Sequence, residues 1–216
     1  DWKTDVWVNG VKVGNHSGGY TPFTFDITSA LVKGDNRLTV RVSDPTDQGI
    51  QPRGKQVRRP EGIWYTSVSG IWQTVWLEPV PEHSISYLRV TPDIDRRILS
   101  VEVSTESKGV VQVEVSAGGK TVSSSRSLCG QRIEVPMPAD MLLWSPENPF
   151  LYDLSISLWE GNRCVDRVKS YAAMRKYSVK RDESGIVRLQ LNNQDLFQYG
   201  PLDQGWWPDG LYTAPR

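Results

Sequence analysis

The chain has 216 residues, 38% of them hydrophobic and 23% charged, a balance that excludes an intrinsically disordered polymer. Its 25 Lys and Arg residues are offset by 25 Asp and Glu residues, so neither nucleic acid nor an anionic membrane is an expected partner. No apolar run approaches the roughly 18 to 20 residues that span a bilayer. Asp1-Trp2-Lys3 opens no charged-then-apolar signal region, so any export segment is expected outside this chain.

Helix signals are nearly absent, and apolar residues alternate with polar ones over short runs, the period of half-buried strands. Val6-Trp7-Val8, Asn9-Gly10 and Val11-Lys12-Val13 read as a hairpin, because Asn-Gly supplies the positive φ values of a tight turn. Phe23 to Ile27 alternates again, Lys33 to Asn36 is a turn, and Arg37 to Val42 is a strand. Ser43 to Pro60 is too long for an ordinary connection and has no period of its own, which marks a functional or partner-contacting loop. Ile71 to Leu77 reads as a closing strand, with packing the expected role of Trp7, Trp72 and Trp76. Pro79-Val80-Pro81 reads as a linker. This first unit looks thin, as if it were the C-terminal half of a larger sandwich.

A second β unit follows. Ile85 to Thr91, Ile98 to Ser104, Val110 to Ser116, Lys120 to Ser127, Arg132 to Val135, Leu154 to Trp159 and Arg163 to Tyr171 are its expected strands. About seven short strands in about 90 residues is the spacing of an immunoglobulin-like sandwich. From Arg175 the character changes: Tyr177 to Val179 and Val187 to Leu191 form a hairpin, Asn192-Asn193 turns, and Leu196 to Tyr199 follows as a strand. This tail is too short to enclose a core of its own and reads as the first elements of a further domain.

Chemistry-bearing clusters are sparse. His16 and His83 fall in a turn and a linker, and no Ser/His/Asp set or metal-ligand spacing emerges. Acidic pairs such as Asp93 and Asp95, or Asp182 and Glu183, fall in charged turns. Cys129 and Cys164 could pair, or remain two buried thiols. Nine Trp and eight Tyr against four Phe suit a surface on which sugar rings stack, and equally suit the strands of β-sheets.

Three segments in order resemble the β-galactosidase/β-glucuronidase family, glycoside hydrolase family two. Val6 to Gly10 with Gly18-Gly19-Tyr20-Thr21-Pro22-Phe23, completed by Ser69 to Leu77, is similar to the second half of that family's sugar-binding-like jelly roll. Leu143-Trp144-Ser145-Pro146 through Pro149-Phe150-Leu151-Tyr152 resembles its immunoglobulin-like domain. Leu189 to Asn193 and Leu196 to Gly200 resemble the lead-in and first strand of its catalytic (β/α)₈ barrel. The resemblance implies an all-β chain: residues 1–80 as part of a jelly-roll β-sandwich, 81–174 as an immunoglobulin-like β-sandwich, and 175–216 as a truncated barrel start.

By that resemblance the parent is a retaining β-glycosidase, β-galactosidase-like, whose two catalytic glutamates lie on later barrel strands. The chain alone is then expected to be inactive, a scaffold and active-site rim with no cofactor and no metal. A carbohydrate-binding module working by aromatic stacking is the alternative, and an adhesin-like immunoglobulin repeat a third. The expected partner is a carbohydrate substrate, the parent is a possible homo-oligomer, and a periplasmic or secreted location suits such a substrate. Two segments are expected to touch sugar in the parent. In Gly200 to Gly210, Asp203 and Gln204 offer hydrogen bonds and Trp206 or Trp207 a stacking face, with plugging of a barrel mouth as the bland alternative. In Gln51 to Ser69, with Arg53, Lys55, Arg58, Arg59 and Tyr65, the candidates are Glu61 and Trp64, with domain docking or a solvated basic loop as the alternative.

Overall fold

A computed structural model describes residues 2–207 and 213. Strands dominate, the only helical element among these residues being one 3₁₀ turn, Thr28–Ala30. The chain forms two compact units, one of residues 1–76 with 202–216 and one of residues 77–201. No helix among the described residues is long and apolar enough to cross a membrane.

The first unit is built on a three-stranded antiparallel sheet in which β1 (Lys3–Val8) lies between β2 (Val11–Ser17) and β3 (Leu38–Ser43). Alternation in β1 buries Thr4, Val6 and Val8 on one face. On the other face Asp5 pairs with Lys12 at 2.6 Å and Arg41 at 2.7 Å. These two cations flank the Trp7 ring at 5.7 and 5.3 Å, so Trp7 is covered from both neighbouring strands.

The β1–β2 turn is the expected one, with Asn9 and Gly10 at φ +51° and +84°. Asn9 also ties this turn to the next. Its Nδ2 donates to the Ala30 carbonyl (2.9 Å) and to Asn36 Oδ1 (2.7 Å), while its Oδ1 accepts from the Arg37 N–H (2.9 Å).

Two expected strands of this unit are absent. Phe23 to Ile27 and Ile71 to Leu77 are irregular, with no ladder partner among the described residues. Alternation marks a face, but a strand exists only when a neighbour takes its N–H and C=O groups. The side chains are still used in part: Phe23 stacks on His16 with centroids 4.5 Å apart, and Trp72 donates from Nε1 to the Gly19 carbonyl (2.8 Å). His16 thus sits within β2 and not in a turn. Trp76, assigned to packing from the sequence, is instead 70% exposed. A last pair, β4 (Gln56–Val57) and β5 (Tyr65–Thr66), is short and parallel, and lies in the stretch read as a loop.

The second unit is a two-sheet sandwich. One sheet has the order β10-β7-β6, from β6 (Tyr87–Asp93), β7 (Ile98–Ser104) and β10 (Ile133–Pro136). The other runs β12-β11-β8-β9, from β8 (Val110–Ala117), β9 (Lys120–Leu128), β11 (Tyr152–Glu160) and β12 (Arg163–Ala172). The seven strands are those the alternation identifies, to within two residues at most ends.

Register explains the core. Val111, Val113 and Val115 of β8 stand opposite Leu158, Ile156 and Leu154 of β11. Leu99 and Val101 of β7 stand opposite Val135 and Ile133 of β10. All ten are at most 2% exposed and join one cluster with Met174. Each such side chain contributes roughly 1.5–3 kcal/mol by leaving water.

Tyr152 at the start of β11 is 2% exposed, and its hydroxyl accepts from the Leu142 N–H at 2.7 Å. This is the tyrosine corner of immunoglobulin-like sandwiches, pinning the crossover to the strand it feeds. The edge strand β9 is tied to the other sheet by hydroxyls: Ser125 Oγ donates to the Glu134 carbonyl (2.8 Å) and Ser123 Oγ to that of Pro136. Cys129 and Cys164 are free thiols.

The same unit carries a small sheet of β13 (Tyr177–Arg181), β14 (Val187–Leu191) and β15 (Gln194–Asp195). Its second turn is Asn192-Asn193 at φ +53° and +65°. Asn192 Nδ2 donates to the Trp144 carbonyl (2.9 Å), and Asn193 Nδ2 donates to Asp95 Oδ1 (2.7 Å). Arg175 lies over both the Trp144 ring (4.7 Å) and the Tyr177 ring (5.3 Å). The expected strand Leu196 to Tyr199 is irregular, and Phe197 and Tyr199 are 87% and 95% exposed. The ladder pairs end at Asp195, and one further backbone bond, from the Leu196 N–H to the Leu189 carbonyl (2.9 Å), follows them.

Candidate functional site

Within the first unit the stretch 51–69 is shaped by a few polar anchors. Gln56 is buried; its Nε2 donates to the Arg53 carbonyl (3.0 Å) and its Oε1 accepts from the Val68 N–H (2.7 Å). The side-chain amide thus fastens both sides of the loop, as a buried polar group must be satisfied. Arg53 Nη1 donates to the Asp47 carbonyl (3.1 Å). The Asp47 carboxylate takes the Arg58 backbone N–H (3.3 Å) and its guanidinium (3.0 Å), which hold it below the usual carboxylate range. The Tyr65 N–H donates to the Lys55 carbonyl (2.8 Å) as β4 and β5 pair.

Residues 202–207 meet this loop. The Tyr65 hydroxyl donates to Gln204 Oε1, which also accepts from Lys55 Nζ at 3.0 Å. Trp206 stacks on Tyr65 with centroids 4.9 Å apart and planes 11° from parallel. Lys55 Nζ lies 5.8 Å from the Tyr65 ring centre. The turn that delivers Gln204 and Trp206 is held by Asp203, whose Oδ1 accepts from the Gly205 N–H (2.7 Å), with Gly205 at φ +65°. A stacked aromatic pair, an amide and an ammonium therefore converge on one patch. Such groups can stack on the C–H face of a pyranose and hydrogen-bond its hydroxyls.

Of the residues singled out from sequence, Gln204 and Trp206 come together and Asp203 shapes their turn. Glu61, Trp64 and Trp207 do not join these hydrogen bonds or this ring contact. The Glu61 carbonyl accepts the Trp64 N–H (3.1 Å) in a turn, and Trp64 and Trp207 are 42% and 38% exposed. Pro208, Asp209 and Gly210 lie outside the described residues. Tyr65 and Lys55 are the partners that the sequence did not single out. Their signal was available in one form only, an aromatic beside cations in a loop too long to be a plain connection.

A second polar cluster lies in the sandwich unit. Glu160 Oε1 accepts from Ser107 Oγ (2.7 Å) and contacts His83 Nδ1 (2.6 Å), and these partners hold its carboxyl below the usual range. The hydroxyl and the imidazole both face the carboxylate, and neither is arranged to activate the other as a nucleophile. Burial pushes the nearby Cys129 thiol up, away from thiolate reactivity. Among the described residues no His, Cys, Asp and Glu are grouped to hold a metal ion.

Comparison with known proteins adds a family context. The model described as "Glycosyl hydrolases family 2, sugar binding domain" matches residues 1–81, and "Glycosyl hydrolases family 2" matches residues 81–175. The β-galactosidase of Thermoanaerobacter pseudethanolicus is 28% identical over 94% of this chain, and that of Halalkalibacterium halodurans is 30% identical over 81%. The chain spans 29% and 18% of the lengths of these two relatives. A solved β-glucuronidase from Ruminococcus gnavus, in complex with a C6-substituted uronic isofagomine, superposes with a TM-score of 0.78. It is 21% identical, and the match covers 99% of this chain and 37% of that one, a likeness of fold.

Proposed function

The chain belongs to glycosyl hydrolase family 2, and from this we propose that it is the non-catalytic scaffold and active-site rim of a β-glycosidase that hydrolyses O-glycosyl bonds. In this reading residues 175–216 are the lead-in to a catalytic (β/α)₈ barrel. The reaction is retaining and β-galactosidase-like, with two carboxylates about 5–5.5 Å apart supplied by that barrel as nucleophile and acid/base. The carbohydrate is its partner.

The observation that carries the rim assignment is the convergence of Gln204 and Trp206 on Tyr65 and Lys55. In the proposed role this patch orients a sugar ring while the barrel does the chemistry. Orientation matters because a misplacement of about 1 Å can cost about a hundredfold in rate.

The test has two arms. The purified chain should release no nitrophenol from nitrophenyl β-galactoside or β-glucuronide, and measurable turnover would overturn the non-catalytic role. When the chain is expressed as part of its longer enzyme, Trp206→Ala should lower kcat/KM about tenfold or more. An unchanged kcat/KM in that enzyme would remove the rim role.

The same stack favours a second reading, a carbohydrate-binding module acting through aromatic contacts. Retardation of the isolated chain in gels containing a neutral β-galactan, abolished by Trp206→Ala, would support it over the scaffold reading.

A further inference from the structure

Asn9-Gly10 is the only Asn-Gly pair in the sequence. Such a pair is chemically reactive, because asparagine is thermolabile and glycine has no side chain to shield its nitrogen. The glycine backbone nitrogen can attack the side-chain carbonyl carbon of the asparagine. Here both residues are exposed, so water and base reach them, and a Cβ on Gly10 would meet nothing within 4 Å.

The asparagine is nevertheless tied to three residues. Its Nδ2 donates to the Ala30 carbonyl (2.9 Å) and to Asn36 Oδ1 (2.7 Å), and its Oδ1 accepts from the Arg37 N–H (2.9 Å). Its own N–H donates to the Arg37 carbonyl (2.9 Å). Attack at Cγ turns a planar carbon tetrahedral and swings both polar atoms, so the side-chain bonds must loosen first. The arrangement also rejects the product. An aspartate at this position has no side-chain N–H to give, and its carboxylate would face two acceptors, the Ala30 carbonyl and Asn36 Oδ1. Asn36 cannot turn its amide over in response. Its Oδ1 takes the Val32 N–H (2.9 Å), while its Nδ2 donates to the carbonyls of Val32 (3.0 Å) and Gly34 (2.9 Å).

We infer that Asn9 is a site of spontaneous deamidation gated by the fold, a one-way chemical latch on the first unit. Each local opening of the turn exposes Asn9 to reaction, and a reacted chain cannot re-form the tie. The only co-reactant is water. The Gly10 nitrogen gives its proton to base and bonds to Asn9 Cγ. The Cγ–Nδ2 bond then breaks, and Nδ2 leaves as ammonia with a proton from water. Water opens the resulting cyclic imide, at Cγ to give aspartate or at the backbone carbonyl carbon to give isoaspartate. The second route adds a methylene to the backbone of the two-residue turn that sets Val8 opposite Val11.

Peptide mass spectrometry of the tryptic segment 4–12 follows the reaction in the full chain, held in mildly alkaline buffer with or without guanidinium chloride. Conversion at position 9 should be at least about tenfold slower in the folded chain, the scale of the bonds that must open. Asn36→Ala removes one of the three side-chain bonds. It should speed conversion in the folded chain about fivefold and leave the rate in guanidinium unchanged. Asn9→Asp, which installs the product, should speed hydrogen exchange over residues 30–37 about tenfold. Gln198→Glu, the same charge change on an exposed side chain of the other unit, should leave that exchange unchanged.

No conversion at position 9 in guanidinium would overturn the site itself. Equal rates in the folded and unfolded chain, or a folded rate unmoved by Asn36→Ala, would overturn the gating. Unchanged exchange in Asn9→Asp, or equal acceleration in Gln198→Glu, would overturn the one-way character. Far-ultraviolet circular dichroism establishes that Asn36→Ala is folded, and if it is not, the ratio of folded to unfolded rates in the parent chain decides the gating alone.

Discussion

The indole of Trp206 lies parallel to the phenol ring of Tyr65, planes 11° apart and centroids separated by 4.9 Å, although the two residues stand far apart in the chain. The contact is coupled to a second one, since the same tyrosine hydroxyl donates to Gln204. Residues 202–207 are thus fastened to the loop 51–69 by one stack and one shared amide oxygen.

Tyr65 separates the two parts of this attachment. Tyr65→Phe removes the hydroxyl and leaves the stack, whereas Tyr65→Ala removes both. The stack is worth about 0.5–1.5 kcal/mol beyond its buried area. Hydrogen exchange should therefore accelerate over residues 202–207 in Tyr65→Ala and only slightly in Tyr65→Phe. Equal exchange in Tyr65→Ala and the parent chain would show that the stack does not hold the segment.

The sandwich core should respond to a single cavity. Ile156 is fully buried opposite Val113, so Ile156→Ala is expected to cost about 2–5 kcal/mol in urea unfolding. Val179→Ala, on a side chain 64% exposed, should stay within about 0.5 kcal/mol and serves as the contrast.

Gly109 should not tolerate a methyl group. A Cβ there would lie 2.0 Å from the Trp159 carbonyl oxygen, a backbone atom that cannot swing away. Separating β8 from β11 at that point disturbs the ladder that holds the core register, so Gly109→Ala should cost about 1–3 kcal/mol. A thermal midpoint equal to that of the parent chain would mean that the two strands can part without loss.

Arg175 should behave as a stacking residue more than as a charge. It lies over Trp144 and Tyr177, and joins the segment before β11 to the small sheet. Arg175→Lys keeps the charge but loses the planar guanidinium. It is expected to lose about 0.5–1 kcal/mol, detectable as a lower urea midpoint with an unchanged slope.

The acid limb of stability should depend on Glu160. Its carboxyl is held low first by the Ser107 hydroxyl and then by His83, so the folded state binds the proton more weakly than the unfolded one. That contribution is complete above the ordinary glutamate value of about 4.3 and is lost as pH falls through the lower folded value. Thermal midpoints should therefore drop more steeply below about pH 4.3 for the parent than for Glu160→Gln. Parallel curves would mean that Ser107 and His83 do not favour the ionised form.

How far the sequence reaches is shown by particular residues. The sandwich strands were legible because Val111, Val113 and Val115, or Leu154, Ile156 and Leu158, alternate with polar neighbours, and that period is the geometry of a strand buried on one face. Asn9-Gly10 and Asn192-Asn193 were legible because few residues accept positive φ at low cost. Ile71 to Leu77 carries a similar period and is nevertheless irregular. The candidate site was half legible: Gln204 and Trp206 stood out as types, while Glu61 and Trp64 drew notice in the loop that in fact offers Lys55 and Tyr65.

The sequence by itself thus determined which side chains share a face, where the tight turns fall and that the chain is all-β, since each follows from the dihedral preferences of neighbouring residues. Only the tertiary structure decided which alternating segments find a ladder partner, that Tyr152 pins the crossover through Leu142, and that Tyr65 receives Trp206 and Gln204. Those outcomes depend on hydrogen-bonding partners and ring faces supplied from far along the chain, and no local period encodes them.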